Sequence, residues 1–409
     1  MQQKSNINGI TKLYTFVVIL YMFRAYDVTW LYPIPVLFVC VVTIFVIIIK
    51  WVFTSNGLII GSKSLISILL LLLYCLYSMI ITNSKDHYVV VVFTTLFLSM
   101  TSVILLSKEE KQYLLKIITN CFVIVLTISL PFWILFLLGV DLPHSAPIEH
   151  PNGFHVYYDY YFFRISVRTV NALFPRFSSI FLEPGQMATP CVFLFFLNSL
   201  ENKILSFKNI ILLIAIIMSF SLIAFGLLLV SLISIAWFGG ARYRYILTVF
   251  VLLVIGGLYK YFSSFENNAV SVLILSRLEY DENGIITGNN RTSRLFDSNY
   301  QSLMQSYDKY FGVHNQIKKG NDWTNNSSGY KKFIVHHGLV GFIIFLWYIF
   351  SLYWSNRNGK AFIFLIIVIA AFFTRDMLQN PMWMSMAIIG FYLMGNTNKE
   401  YQVLEKQKY

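Results

Sequence analysis

The sequence predicts an all-α polytopic membrane protein of about twelve transmembrane helices, N-in and C-in, with two long outer loops that contain short helices. Three observations predict it. Of the 409 residues, 57% are apolar and only 12% charged, about half the charged share of a soluble domain. The apolar residues form continuous runs and lack the alternation of a membrane β-barrel. The Lys and Arg residues fall unequally on the two sides of those runs. This composition excludes soluble enzymes, disordered chains and disulfide-stapled secreted modules.

In chain order the spans are 10–26, 28–50, 64–82, 88–106, 114–139, 186–200, 209–222, 223–239, 245–262, 331–354, 360–375 and 380–396. Five spans fill residues 1–139, a first long loop takes 140–185, and four spans fill 186–262. A second long loop takes 263–330, three spans fill 331–396, and 397–409 is a cytoplasmic tail. The run from Asn209 to Gly239 covers 31 residues, roughly 46 Å as a helix and too long for one upright crossing. It therefore divides at Ser219-Phe220-Ser221, and this division sets the orientation of everything that follows. With both termini inside, the short cytoplasmic segments hold sixteen Lys and Arg, while the short outer loops hold only Arg24, Lys85 and Arg375. That is the positive-inside asymmetry.

The net charge of +12 is thus an orientation signal. No basic–aromatic run reads as a nucleic-acid module, and no nucleic-acid partner is expected. The first apolar segment lacks a small-residue cleavage site and runs into Arg24, so no cleavable signal-peptide pattern is expected. Cys40, Cys75, Cys121 and Cys191 lie inside apolar segments with neither disulfide nor zinc spacing, and read as small buried apolar residues. All seven histidines (His87, His144, His150, His155, His314, His336 and His337) fall on the outer side. The polar chemistry therefore gathers in the outer loops, whereas a transporter would place ionisable groups at mid-membrane depth.

The first loop opens at Asp141 and His144 and passes Glu149, His150 and His155. An aromatic run follows: Tyr157, Tyr158, Tyr160, Tyr161, Phe162 and Phe163. Such a run suits a half-submerged interfacial helix, and it equally suits stacking against sugar rings. Arg164 and Arg168 share a face if the stretch is helical. With Arg176 they put three arginines within thirteen residues, and the planar guanidinium fork matches phosphate oxygens. The loop closes on Glu183-Pro184-Gly185 at the membrane boundary. A carboxylate there is either a functional group or a structural one, paired with Arg176 or anchoring a helix N-terminus.

The second loop has turn chemistry at Asn283-Gly284, Gly288-Asn289-Asn290 and Asn325-Asn326-Ser327-Ser328-Gly329. Between these turns a helix is predicted from Arg291 to Tyr310, with Arg291 and Arg294 neighbours on one face. Phe311-Gly312-Val313-His314 ends it. The chain returns to the membrane through Gly329-Tyr330-Lys331-Lys332, with His336-His337-Gly338 inside the next span. Adjacent histidines do not share a helix face, and no acidic or His cluster has metal-ligand spacing. Glu279, Asp281 and Glu282 read as a solvated charge run. Phosphate-binding, dinucleotide-binding and nucleophile-elbow motifs are absent, so no metal and no cofactor is expected.

The segment Arg176-Phe177-Ser178-Ser179-Ile180-Phe181-Leu182-Glu183-Pro184-Gly185-Gln186 is followed by the short spans broken at Ser-Phe-Ser. Next come Asn290-Arg291, Arg294, the Phe-Gly-Val-His turn, Tyr330 and His337-Gly338-Leu339-Val340-Gly341-Phe342. Over roughly residues 160–350 this pattern resembles the O-antigen polymerase and ligase superfamily. The family's arginine-to-glycine spacings are not reproduced: eight residues separate Arg176 from Gly185 and seventeen separate Arg294 from Gly312.

The resemblance implies a metal-independent membrane glycosyltransferase of lipopolysaccharide biosynthesis in the bacterial inner membrane, its site facing the periplasm. The growing glycan would pass from undecaprenyl pyrophosphate to the non-reducing end of an incoming lipid-linked repeat unit. The partners implied are these lipid-linked repeat units, the lipid bilayer and a chain-length regulator protein. Glu183, Arg176 and His337 are then the catalytic candidates, with the identity of the base open between Glu183 and His337. Arg164, Arg168, Arg291, Arg294, His314, Tyr330 and Arg375 are the substrate-binding candidates. Transfer of finished chains to lipid A core by a ligase, and flipping of lipid-linked oligosaccharides, are the alternatives. A flippase would carry charge inside the bundle or internal repeats, and no repeat is visible.

Overall fold

In the computed structural model of the chain, the described residues are 7–25, 31, 33–54, 61–82, 87–149, 156–167, 175–201, 204–238, 294–313, 329–375 and 379–395. Helix α1 (Gly9–Arg24) starts where the Asn8 side chain accepts from the Thr11 N–H. Helix α2 (Val36–Thr54) starts later than the predicted residue 28, immediately after Pro33 and Pro35, because a residue before proline is pushed out of helical geometry. Helices α3 (Ser62–Ile81) and α4 (His87–Leu105) follow. Helix α5 (Lys108–Leu137) begins six residues before the predicted span. There Ser107 and Glu110 form a reciprocal capping box that satisfies two orphan N–H groups.

Beyond the first loop come α6 (Pro184–Glu201), α7 (Phe207–Met218) and α8 (Leu222–Phe238). Within the second loop lies α9 (Arg294–Gln305), and the chain closes with α10 (Gly329–Ser355), α11 (Gly359–Thr374) and α12 (Pro381–Met394). Eleven of these helices match predicted spans, and the segment 245–262 and the tail 397–409 lie outside the described residues. Among the described residues four helices, α2, α3, α5 and α10, are long and apolar enough to cross a membrane.

The all-α expectation needs one correction. The aromatic run of the first loop forms no interfacial helix but a small antiparallel sheet, β1 (Ile148–Glu149), β2 (Val156–Asp159) and β3 (Arg164–Ser166), in the order β1-β2-β3. Tyr157 pairs with Ser166, Tyr158 with Ile165 and Asp159 with Arg164. Aromatic and β-branched residues favour a pleated, half-buried surface, and the tight connection is set by Tyr161 at φ 66. The rings supply core. Tyr160 and Phe163 stack on each other at 4.7 Å and pack on Phe136, while Phe162 stacks on Phe132 at 4.5 Å. The sheet thus seals the C-terminal part of α5.

Polar contacts gather the helix ends into two sets. At one end Glu110 accepts from Lys50 (2.7 Å) and Thr11 (2.8 Å), the Lys111 ammonium donates to the Ile104 carbonyl at the close of α4 (2.8 Å), and Ser64 meets Tyr392 (2.9 Å). At the other end Arg375 pairs with Glu183, and the Tyr77 hydroxyl meets the His337 carbonyl. Between the two lies an aromatic core, in which Phe333 and Phe372 touch each other and both Phe342 and Phe345.

Two helical runs are interrupted. The long apolar run breaks between α7 and α8 at Ser219-Phe220-Ser221, as its length predicted, with Phe220 at φ 45. Helix α10 breaks at Gly338 (φ 65, ψ 178), a conformation essentially reserved for glycine. The turn 310–313 of the second loop fits into this break: the Val313 N–H donates to the Val335 carbonyl (2.8 Å) and the Val340 N–H to the Tyr310 carbonyl (3.1 Å). A Cβ at Gly338 would overlap the Tyr310 carbonyl, and one at Gly312 (φ 80) would stand 2.8 Å from the Gly338 nitrogen. Gly338→Ala should therefore destabilise the protein by about 1–3 kcal/mol from backbone strain, with overlap adding to it. Thermal unfolding in detergent will read this, and Gly226→Ala, in open space on α8, should be neutral or slightly stabilising.

Candidate functional site

Helix α6 opens with Pro184 at its first position, which fixes φ for the helix and needs no N–H partner. Glu183 stands just before it, where the positive end of the helix dipole favours an anion. Its carboxylate accepts from the Arg375 guanidinium at 2.5 Å. Arg375 follows the last residue of α11 in extended conformation, its N–H still bonded to Ala371 (3.0 Å). The guanidinium lies directly on Gly185, where any Cβ would collide with it. Gly329 is equally tight against the backbone of Thr374 and Arg375, and Tyr330 packs on Phe373 at 5.3 Å. The close of the first loop, the first turn of α10 and the end of α11 thus meet around one carboxylate–guanidinium pair. That pair is half-buried, with the arginine side chain 12% exposed and the glutamate 26%.

The second loop adds α9. Phe296 and Leu303 of α9 pack with Val313 and Val335, Tyr300 lies against them, and Lys331 bonds Asp297 at 2.7 Å. Arg294 is the first residue of α9, one turn before Asp297. Two turns into α10, the His337 imidazole is 5% exposed and sits between Phe333 (4.8 Å) and Tyr74 (5.9 Å), with His336 at 6.3 Å. The second loop presents exposed rings here at Tyr307, Tyr310 and Phe311.

Arg176 is held at the other interruption. Its Nε donates to the Ser219 carbonyl at 2.9 Å, and the neighbouring Phe177 N–H donates to Met218 at 3.1 Å. Both cap carbonyls at the C-terminal end of α7. Arg164 is 3% exposed, stacked over Tyr157 at 4.4 Å and 3.9 Å from Asp159. Its backbone N–H bonds Ser179 and its carbonyl accepts from Ser178, both at 2.9 Å. Arg164 thus ties the sheet to the segment that leads into Glu183, and residues 164–166 form a strand rather than the helix in which Arg164 and Arg168 would share a face. Burial pushes the Asp159 carboxyl above its ordinary value, although the Tyr161 N–H (2.8 Å) and Arg164 act to lower it.

Glu183, Arg375 and Tyr330 therefore come together, with His337 further along α10 and Arg176 at a separate helix end. Arg168, Arg291 and His314 lie outside the described residues, as do Glu279, Asp281 and Glu282. Among the described residues no group of three or more His, Cys, Asp or Glu is placed to hold a metal ion. Sequence reasoning missed Tyr77, whose hydroxyl donates to the His337 carbonyl at 2.7 Å, because a tyrosine within an apolar span gives no signal. It also missed the Asp297–Lys331 pair, 34 residues apart, and the choice of Arg375 over Arg176 as partner of Glu183.

The chain matches no family model, no curated protein and no solved structure. Its site is therefore read from its own geometry. A charge-assisted pair of this kind, partly open to solvent, should couple its members by about 1–3 kcal/mol. A double-mutant cycle of Glu183→Gln and Arg375→Gln, read as unfolding free energy in detergent, should return that coupling. Additive losses would show that the pair does not hold the helix ends together.

Proposed function

We propose that the protein is an O-antigen or related polysaccharide polymerase of the bacterial inner membrane, with about twelve spans, both termini in the cytoplasm and its site facing the periplasm. The Glu183–Arg375 pair carries this reading, because it sets an acceptor-type carboxylate and a phosphate-type guanidinium at the meeting point of both outer loops. In the proposed reaction a hydroxyl of the incoming lipid-linked repeat unit attacks the anomeric carbon of the growing glycan. The bond from that carbon to the pyrophosphate oxygen breaks, and the electron pair leaves with undecaprenyl pyrophosphate. The hydroxyl proton passes to a base.

Arginine is suited to the charge that develops on the leaving pyrophosphate. Arg375 stands beside the proposed base, and Arg176, Arg291 and Arg294 complete the proposed clamp. An arriving pyrophosphate would compete with Glu183 for the Arg375 guanidinium. The carboxylate thereby released is the proposed acceptor of the proton, its greater exposure favouring it over the enclosed His337 imidazole. Tyr307, Tyr310 and Phe311 offer exposed rings on which sugars would stack. Arg164 is assigned to holding the first loop together. No metal or nucleotide sugar enters the scheme.

Purified protein in lipid, given its own undecaprenyl-pyrophosphate repeat unit, should produce a glycan ladder on a gel. Arg176→Lys, Arg291→Lys and Arg294→Lys should each slow it at least about tenfold, because charge is retained but the fork is lost. Glu183→Gln should slow it about 10²-fold or more. Full ladders from all three lysine variants at normal expression would exclude the clamp, and an active Glu183→Gln would make that residue structural. Movement of the carrier across liposomes without a ladder would replace the polymerase with a transporter.

A further inference from the structure

Helix α3 carries Tyr77 one turn before its C-terminal end, opposite the interruption of α10. In an unbroken helix the carbonyl of residue 337 would accept from the N–H of residue 341. At the break the His337 carbonyl accepts from the Tyr77 hydroxyl at 2.7 Å, and the same hydroxyl lies 3.4 Å from the Tyr310 carbonyl in the second loop. One group thus touches both the interrupted helix and the turn inserted into it. Glycine at 341 makes room for it, since a Cβ there would stand 2.6 Å from Tyr77 Cε1 and 2.8 Å from His337 Cβ. Tyr74, one turn earlier on α3, closes on the His337 ring itself at 5.9 Å.

We infer that Tyr77 is a positioning residue: its hydroxyl sets the register of the α10 break and with it the orientation of the His337 imidazole and of the turn 310–313. Three unrelated glycines serve this one arrangement. Gly338 supplies the backbone angle, Gly312 lets the turn approach, and Gly341 admits the tyrosine ring. The consequence for catalysis rests on the polymerase reading given above, whereas the consequence for His337 itself does not.

The test uses full-length Tyr77→Phe, which keeps the ring and removes only the hydroxyl. Diethyl pyrocarbonate modification of His337 is followed by fragment mass spectrometry, with the exposed His144 as internal reference, alongside glycan-transfer kinetics. The His337 rate relative to His144 should rise at least about threefold as the break loosens. The transfer kcat/KM should fall about tenfold or more, because the turn 310–313 carries the Tyr310 and Phe311 rings proposed to stack on sugar. If Tyr77→Phe does not fold, Gly341→Ala displaces the same ring and should give the same rise in His337 labelling. An unchanged labelling ratio in the folded variant overturns the inference even if the wild type polymerises. A raised ratio in a protein that makes no ladder upholds the positioning role and removes the polymerase reading instead.

Discussion

A helix interrupted inside an apolar bundle leaves carbonyl and N–H groups without partners, and in such surroundings each must be satisfied from elsewhere. This constraint organises the polar end of the molecule. At the break between α7 and α8 the partners come from the end of the first loop, through the Arg176 side chain and the Phe177 N–H. At the break in α10 they come from the second loop, through Val313 and Tyr310, and from Tyr77 of α3. Each long loop is therefore pinned to the bundle by the groups that a broken helix exposes. The candidate site lies where the two pinned loops converge.

The same constraint assigns the arginines different work. Arg176 spends its Nε on a helix end, Arg164 lies under Tyr157 and beside Asp159, and Arg375 faces a carboxylate. The last combines partial exposure, a charged partner and contact with three segments. A half-buried pair of this kind contributes modestly to stability, because desolvation offsets much of the attraction. Its greater consequence is geometric: it fixes the start of α6 against the end of α11, and through Gly329 the start of α10. An anion entering here would meet a guanidinium already oriented, and would have to displace a carboxylate to reach it.

The aromatic residues show how one composition serves two purposes. The dense run in the first loop suits an interface or sugars by composition, yet three of its six rings, Tyr160, Phe162 and Phe163, pack on Phe132 and Phe136 of α5. Tyr161 is exposed in that run, and further exposed rings lie in the second loop at Tyr307, Tyr310 and Phe311, on and just before the turn that plugs the α10 break. Density of aromatic residues did not distinguish the two cases. What separates them is whether the strand or turn that carries the rings faces another element.

The sequence by itself determined the membrane class, the positions of eleven helices to within a few residues at most ends, and the break at Ser219-Phe220-Ser221. These follow from run length, apolarity and local turn chemistry, which are properties of neighbouring residues. It also marked Glu183, Arg375, Tyr330 and His337 as residues of interest. Only the tertiary structure decided that Glu183 pairs with Arg375, 192 residues away, that Arg176 caps α7, that residues 156–166 form strands, and that Tyr77 meets His337. Each of these depends on which helix ends lie side by side, and in a bundle of uniformly apolar helices no local signal encodes that choice. Packing of glycines such as Gly185, Gly329 and Gly341 against distant side chains and backbone sets it, and a glycine in a sequence does not name the group that will occupy the space it leaves.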